Sequence, residues 1–313
     1  YYPMISLKSK APDFTLLKKE DSSYPLLLRE IPDPPAKLYV RGDLGTEGVP
    51  RLAIVGTRKA TTAGRALAKG LARELSNRGF IIVSGLAMGI DAAAHEGAVA
   101  AKAPTVAVLG NGIDSIYPAQ NENLGRQILE TGGAIVSEYP AGTPSFPNQF
   151  LERNRIVSGL SLGVIVIEAP IDSGALVTAR LAGEQGREVF IFPGPADHPN
   201  YRGSHKLIRD GARLVTSVED ILEDIGPQIT NFKIQIISLR ETSRREANKF
   251  QAPNSKLDEK HSRVFKVIEN AGEPVRIDQI IELTKLEPPM VSQAIAFLTI
   301  EGIIKETEKG YTV

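Results

Sequence analysis

The sequence predicts an α/β fold: a Rossmann-like, doubly wound and mostly parallel sheet, followed by a small C-terminal winged-helix domain. Three observations lead there. Between Arg51 and Ile225, short runs rich in Val and Ile alternate with longer helical stretches. Those runs are apolar throughout instead of alternating with polar residues, as in strands covered on both faces. After Lys260 the apolar spacing turns to helices and then to a terminal alternation typical of a hairpin.

Taken in order, residues 1–50 are proline-rich, with Ile31-Pro32-Asp33-Pro34-Pro35, and contain apolar Leu26-Leu27-Leu28 and Leu38-Tyr39-Val40. They read as the stub of a small N-terminal helical domain and a segment leading into the core. The chain opens at Tyr1-Tyr2 without a methionine, as expected of part of a longer sequence. The core, 51–225, is expected to hold six buried parallel strands: Leu52–Val55, Phe80–Val83, Thr105–Leu109, Ala134–Val136, Val164–Ile167 and Val189–Ile191. Each is followed by a residue suited to a ligand-binding turn: Gly56, Ser84-Gly85, Gly110-Asn111-Gly112, Ser137-Glu138, Glu168 and Pro193-Gly194. Ligands of such sheets bind at the strands' carboxyl ends. Residues 226–258, with Arg240, Arg244, Arg245 and Gln251-Ala252-Pro253-Asn254-Ser255, lack sustained periodicity and read as a linker. In 259–313, helices are expected from His261 to Asn270, Ile277 to Leu283 and Met290 to Ile300, then a hairpin from Gly302.

A chain of 313 residues, 42% hydrophobic and 24% charged, can bury a large core and suits two domains. It has no cysteine, which removes disulfides, thiolate metal sites and thiol nucleophiles together. No apolar run approaches the roughly 18 residues of a membrane helix, and no secretory signal pattern opens the chain, so a cytoplasmic location is expected. Lys and Arg balance Asp and Glu at 37 each, so a site for a polyanion has to be local. No G-x-G-x-x-G follows the first strand and no acid ends the second, which disfavours a dinucleotide; a P-loop sequence is absent too. No cofactor and no metal are expected, with four histidines and no H-E-x-x-H.

Two local patterns stand out. Gly56-Thr57-Arg58-Lys59 lies between a strand and a helix, where backbone N–H groups and the helix dipole favour an anion and two side chains add full charge. About ninety residues later, Phe150 precedes Arg153-Asn154-Arg155. Arginine pairs with phosphate through a planar fork, and a phenyl face accepts a stacked base, so the combination suits an anionic, base-bearing ligand. Ser84-Gly85-Leu86-Ala87-Met88-Gly89-Ile90-Asp91 is dominated by small residues that let a ligand approach the backbone. Asp91 and His95, four apart, share a helical face. They read as a structural pair, since no nucleophile or third orienting group is evident beside them.

These motifs resemble the DNA-processing protein A family, DprA or Smf. The likeness runs through Gly56-Thr57-Arg58, Ser84 to Asp91 with His95, Val108 to Gly112 with Tyr117-Pro118, Ser137-Glu138-Tyr139-Pro140, Arg153-Asn154-Arg155-Ile156, Glu168-Ala169 and Ser173 to Ala179, covering roughly residues 25–225. It implies a non-catalytic protein that binds and protects single-stranded DNA and helps load the RecA recombinase during natural transformation. It also implies that Arg58 binds backbone phosphate in a pocket shaped by Gly56, Thr57 and Lys59. Ser84, Gly85, Ser173 and Gly174 would line the same groove, and Phe150 would meet a base. Asn154 belongs to the same wall, and Arg153 and Arg155 either touch DNA or hold that wall. Where some relatives have a lysine three residues before the aromatic, this chain has Pro147, which removes one phosphate contact.

Few contacts per subunit favour a homodimer, and the resemblance implies an interface near the helix after Arg202-Gly203-Ser204. The segment 260–313 has seven basic against eight acidic residues, and its third helix, Met290 to Ile300, has no basic residue. Protein docking is therefore favoured over duplex reading for that domain. Two rival functions are a nucleotide-sensing transcription regulator that binds duplex through the winged helix, and a phosphoribohydrolase-like enzyme acting on nucleoside monophosphates. Against the second, Arg180 stands where that signature needs a catalytic glutamate.

Overall fold

Strands β3 (Arg51–Gly56), β4 (Ile81–Ser84), β5 (Thr105–Leu109), β6 (Ala134–Ser137), β7 (Gly163–Ile167) and β8 (Glu188–Ile191) realise the six apolar runs as one parallel array in a computed structural model. The structure describes residues 14–45, 48–232, 235, 259–272, 274–300, 303–307 and 310–312. Successive residues of a strand point to opposite faces, and both faces are covered here. Leu52 and Ile54 enter the core beneath α2 (Thr62–Asn77) and α3 (Ile90–Ala100), while Ala53 and Val55 pack on the side of α5 (Pro147–Gly159) and α6 (Gly174–Glu184). That two-sided burial is why the runs contain no polar alternation.

The full sheet has nine strands in the order β1-β2-β6-β5-β4-β3-β7-β8-β9. From β3 the chain steps through β4, β5 and β6, then returns to place β7 on β3's other side. The order therefore reverses beside β3, which opens a crevice at its carboxyl end. α4 (Glu122–Glu130) joins β5 to β6 and covers the same face as α3.

Two boundaries differ from those the sequence predicts. Residues within 1–50 are part of the sheet: β1 (Thr15–Lys18) and β2 (Lys37–Gly42) pair antiparallel, and β2 pairs antiparallel with β6. Between them lies the single-turn α1 (Leu26–Arg29), whose three leucines are buried. Nor does the linker begin at 226. After α7 (Arg202–Arg209) and β9 (Arg213–Leu214), a helix α8 (218–232) carries Val218, Ile221, Ile225, Ile229 and Phe232 at helical spacing into the core. Arg240, Arg244, Arg245 and 251–255 lie outside the described residues.

The chain divides into two compact units, Tyr1–Ile236 and Ile237–Val313. The second contains α9 (Glu259–Ala271), α10 (Ile277–Thr284), α11 (Pro288–Ile300) and the antiparallel pair β10 (Lys305–Thr307) and β11 (Gly310–Thr312). Val264, Phe265, Ile268, Ile280, Val291 and Leu298 form its core. Among the described residues no helix is long and apolar enough to cross a membrane.

Candidate nucleic-acid interface

A cleft of about 440 Å³ opens over the carboxyl ends of β3, β4 and β7. Its first wall is the β3–α2 turn. Gly56 is obligatory there, because a Cβ would come within 1.9 Å of the Ile167 carbonyl oxygen on the adjacent strand. Thr57 is buried, and its hydroxyl accepts from the Lys59 N–H at 3.2 Å. Thr61 then caps α2, its hydroxyl accepting from the Gly64 N–H at 2.9 Å. Arg58 and Lys59 are exposed between those two fixed points and form no ion pair among the described residues. Two such cations at the positive end of a 16-residue helix make an anion site.

Beneath the turn sits Glu168, fully buried and in the left-handed region at φ 52°. Its carboxylate accepts from the Thr61 N–H at 2.8 Å, from the Thr61 hydroxyl, from Asn200 Nδ2 at 3.1 Å and from the Tyr201 hydroxyl at 3.2 Å. Asn200 also donates to the Lys59 carbonyl at 3.1 Å. This buried carboxylate thus ties the basic turn to β7 and to the segment ahead of α7. The sequence shows an acid at a strand's end; the four donors that converge on it come from distant segments and are legible only in the fold.

α5 supplies the opposite wall. Pro147 occupies its first turn, where the preset φ favours helix initiation and the missing N–H costs nothing. Phe150, Arg153 and Asn154 recur at helical spacing and all line the cleft. The Phe150 ring lies 5.6 Å from the Arg58 guanidinium carbon. Arg153 lines the floor but offers no free fork. It is 4% exposed and donates to the carbonyls of Gly85, at 2.7 Å, and Val108, and to Asn154 Oδ1 at 3.3 Å. Burial pushes its pKa down to about 10, and the Asp91 carboxylate opposes that shift, so it stays charged at neutral pH. Asp91 accepts from the Gly85 N–H at 3.1 Å. Burial raises the Asp91 pKa, and Arg153 opposes this. Arg153 therefore braces the wall.

Arg155 does not line the cleft. It lies two residues beyond Arg153 on α5, a rotation of about 200°, and its guanidinium instead pairs with Glu138 at 2.7 Å and Asp33 at 3.0 Å. Ser84 is displaced from its expected place too: it is wholly buried in β4, donating to the Ile54 carbonyl at 2.6 Å. The remaining expected residues, Gly56, Thr57, Arg58, Lys59, Gly85, Phe150, Asn154, Ser173 and Gly174, all line the cleft. Ser173 caps α6 by accepting from the Ala175 N–H at 3.2 Å, which turns a second helix N-terminus toward the same space.

Asp91 and His95 bond to different groups. His95 Nδ1 meets the Thr105 hydroxyl at 2.9 Å, and burial lowers its pKa to about 3, so the ring is neutral. No cluster of metal-ligating side chains occurs among the described residues.

The family model described as "DNA recombination-mediator protein A" matches residues 15–226. The chain is 43% identical over 229 residues to protein Smf of Escherichia coli K12, a match spanning 72% of this chain and 61% of that protein. Among solved structures it resembles DNA processing protein A from Streptococcus pneumoniae, with 40% identity and TM-score 0.63 over 68% of this chain and 74% of that one. It also resembles DNA processing protein A from Helicobacter pylori, with 31% identity and TM-score 0.60 over 69% and 96% of the two chains. The latter structure concerns that protein's mode of binding single-stranded DNA.

Proposed function

The chain belongs to the DNA recombination-mediator protein A family, a non-catalytic family, and from that premise we propose that its strand-end cleft binds single-stranded DNA. One observation carries the reading: Arg58 and Lys59, free of ion pairs among the described residues, stand at a helix N-terminus, and Arg58 lies beside an aromatic ring. Cations follow the phosphates and the ring serves the base faces, giving little sequence preference and strong salt dependence. The single-stranded DNA binding mode described for the H. pylori relative supports the same assignment.

The test is fluorescence anisotropy of single-stranded and duplex oligonucleotides across a salt series. Wild type is expected to prefer the single strand, and Arg58→Ala to weaken binding and flatten the salt slope by about one unit. Duplex preference that survives the substitution would overturn the reading.

In the cell this binding would protect incoming single strands and help load RecA during natural transformation. The likeness spans 61% of the E. coli relative, so these whole-protein roles extend beyond the matched core. Two copies would act together. β9 is an open sheet edge pairing with β8 in the described structure, and Leu214 on it is 53% exposed next to α7. An exposed leucine on an edge strand calls for cover, and a second copy supplies it while doubling the contacts on one strand. The winged-helix-like unit, lacking basic residues on α11, serves protein docking in this scheme.

A further inference from the structure

We infer that Tyr117, outside the cleft proper, is a base-stacking residue that extends the single-strand site toward the carboxyl end of β5. The inference rests on the single-strand reading of the cleft and adds a second contact to it. Phe150 is hemmed in. The Arg58 guanidinium lies 5.6 Å from its ring centre, the Tyr117 ring 5.5 Å at a tilt of 38°, and Gly110 adjoins its Cδ1 side. A Cβ on Gly110 would sit 2.8 Å from Phe150 Cδ1, so glycine is what lets the ring settle there. Phe150 is half-buried among these neighbours, so it offers a base only part of its ring, and successive bases need a further aromatic surface.

Tyr117 is differently placed. It is 48% exposed although it contacts Phe150, so much of its ring surface faces solvent. An exposed aromatic ring on the continuation of a cationic cleft is the arrangement by which single-strand sites hold successive bases while phosphates follow the positive charge. Arg58, Phe150 and Tyr117 come from the end of β3, from α5 and from the loop after β5, so the contiguous row crosses the strand ends of the sheet. A base on Tyr117 would leave its phosphate within the field of Arg58 while the Phe150 ring stiffens the platform from behind.

The experiment compares an oligo(dT) with an abasic oligonucleotide of equal length, against Tyr117→Leu, Tyr117→Phe and Arg58→Ala. Loss of the ring in Tyr117→Leu is expected to weaken oligo(dT) binding roughly tenfold and leave the abasic strand unchanged. Tyr117→Phe should bind both as wild type does, because the π-face remains. Arg58→Ala should weaken both, since it acts on phosphates. The chain has no tryptophan, so Tyr117→Trp also places a single tryptophan at the site, excited at wavelengths where tyrosine does not absorb. Its emission should be quenched by oligo(dT) and not by the abasic strand. If Tyr117→Leu weakens both strands alike, or neither, the inference is overturned while Arg58-dependent binding still upholds the cleft. If wild type binds neither strand, both readings fall together.

Discussion

Arg58 and Arg153 have the same side chain and opposite fates, which makes them separable by stability. Arg58 is exposed, so Arg58→Ala should leave thermal stability within about 0.5 kcal/mol of wild type while weakening DNA binding. Arg153 is buried against Asp91, and Arg153→Ala leaves a buried carboxylate without its cation. A loss of about 3–5 kcal/mol is expected, read by thermal or urea denaturation, and weaker binding would follow from unfolding. Equal melting points for the two variants would show that Arg153 does not brace the wall. His95 makes a pH prediction. Its folded pKa is lowered to about 3, whereas the unfolded imidazole takes a proton near 6.5. Between those values the unfolded state binds more protons, so stability declines as pH falls through that window, by up to about 1.4 kcal/mol per unit. From about pH 6.5 to 5, above the ordinary carboxylate range, His95→Gln should show a shallower decline in melting temperature than wild type. Parallel curves would contradict the burial of a neutral ring.

At the level of elements, the working parts are strand ends and helix starts held in register by buried polar groups. The β3–α2 turn keeps its shape through Glu168, whose carboxylate takes four donors from Thr61, Asn200 and Tyr201. Glu168→Ala would strand those donors in a buried site, each costing about 1–3 kcal/mol if unsatisfied. Melting temperature should drop, and whatever fraction stays folded should bind single strands less tightly, because Lys59 loses the Asn200 anchor as well. Unchanged affinity in a folded Glu168→Ala protein would show that the turn holds its shape without the carboxylate. α5 illustrates the limit of motif reading. Arg153-Asn154-Arg155 looks like one basic cluster in sequence, but the helical twist sends Arg153 inward and Arg155 to Glu138 and Asp33. Ser84 likewise occupies a promising strand end and spends its hydroxyl on the Ile54 carbonyl.

On the scale of the whole molecule, the nine-stranded sheet leaves β9 as an edge, and the proposed second copy covers it. Leu214→Asp places a charge on that exposed strand and should convert a dimer to a monomer with little loss of melting temperature. Sedimentation or light scattering reads the mass, and single-strand affinity should fall with the lost second set of contacts. A wild-type monomer at micromolar concentration would overturn the dimer.

The apolar runs alone determined the parallel core, because strands buried on both faces tolerate no polar alternation, and each of the six runs became a strand. The basic turn at 56–59 and the aromatic at 150 were legible because charge and glycine at strand ends follow from local backbone geometry. Tertiary structure decided what local pattern cannot encode. It placed β1 and β2 in the sheet, carried the core helix α8 to at least 232, and divided the arginines between open cleft and buried brace. It also brought Tyr117 against Phe150 across 33 positions of sequence. Such pairings depend on which segments the strand order makes neighbours, and strand order arises from the global packing of helices on both faces, beyond any single window of residues.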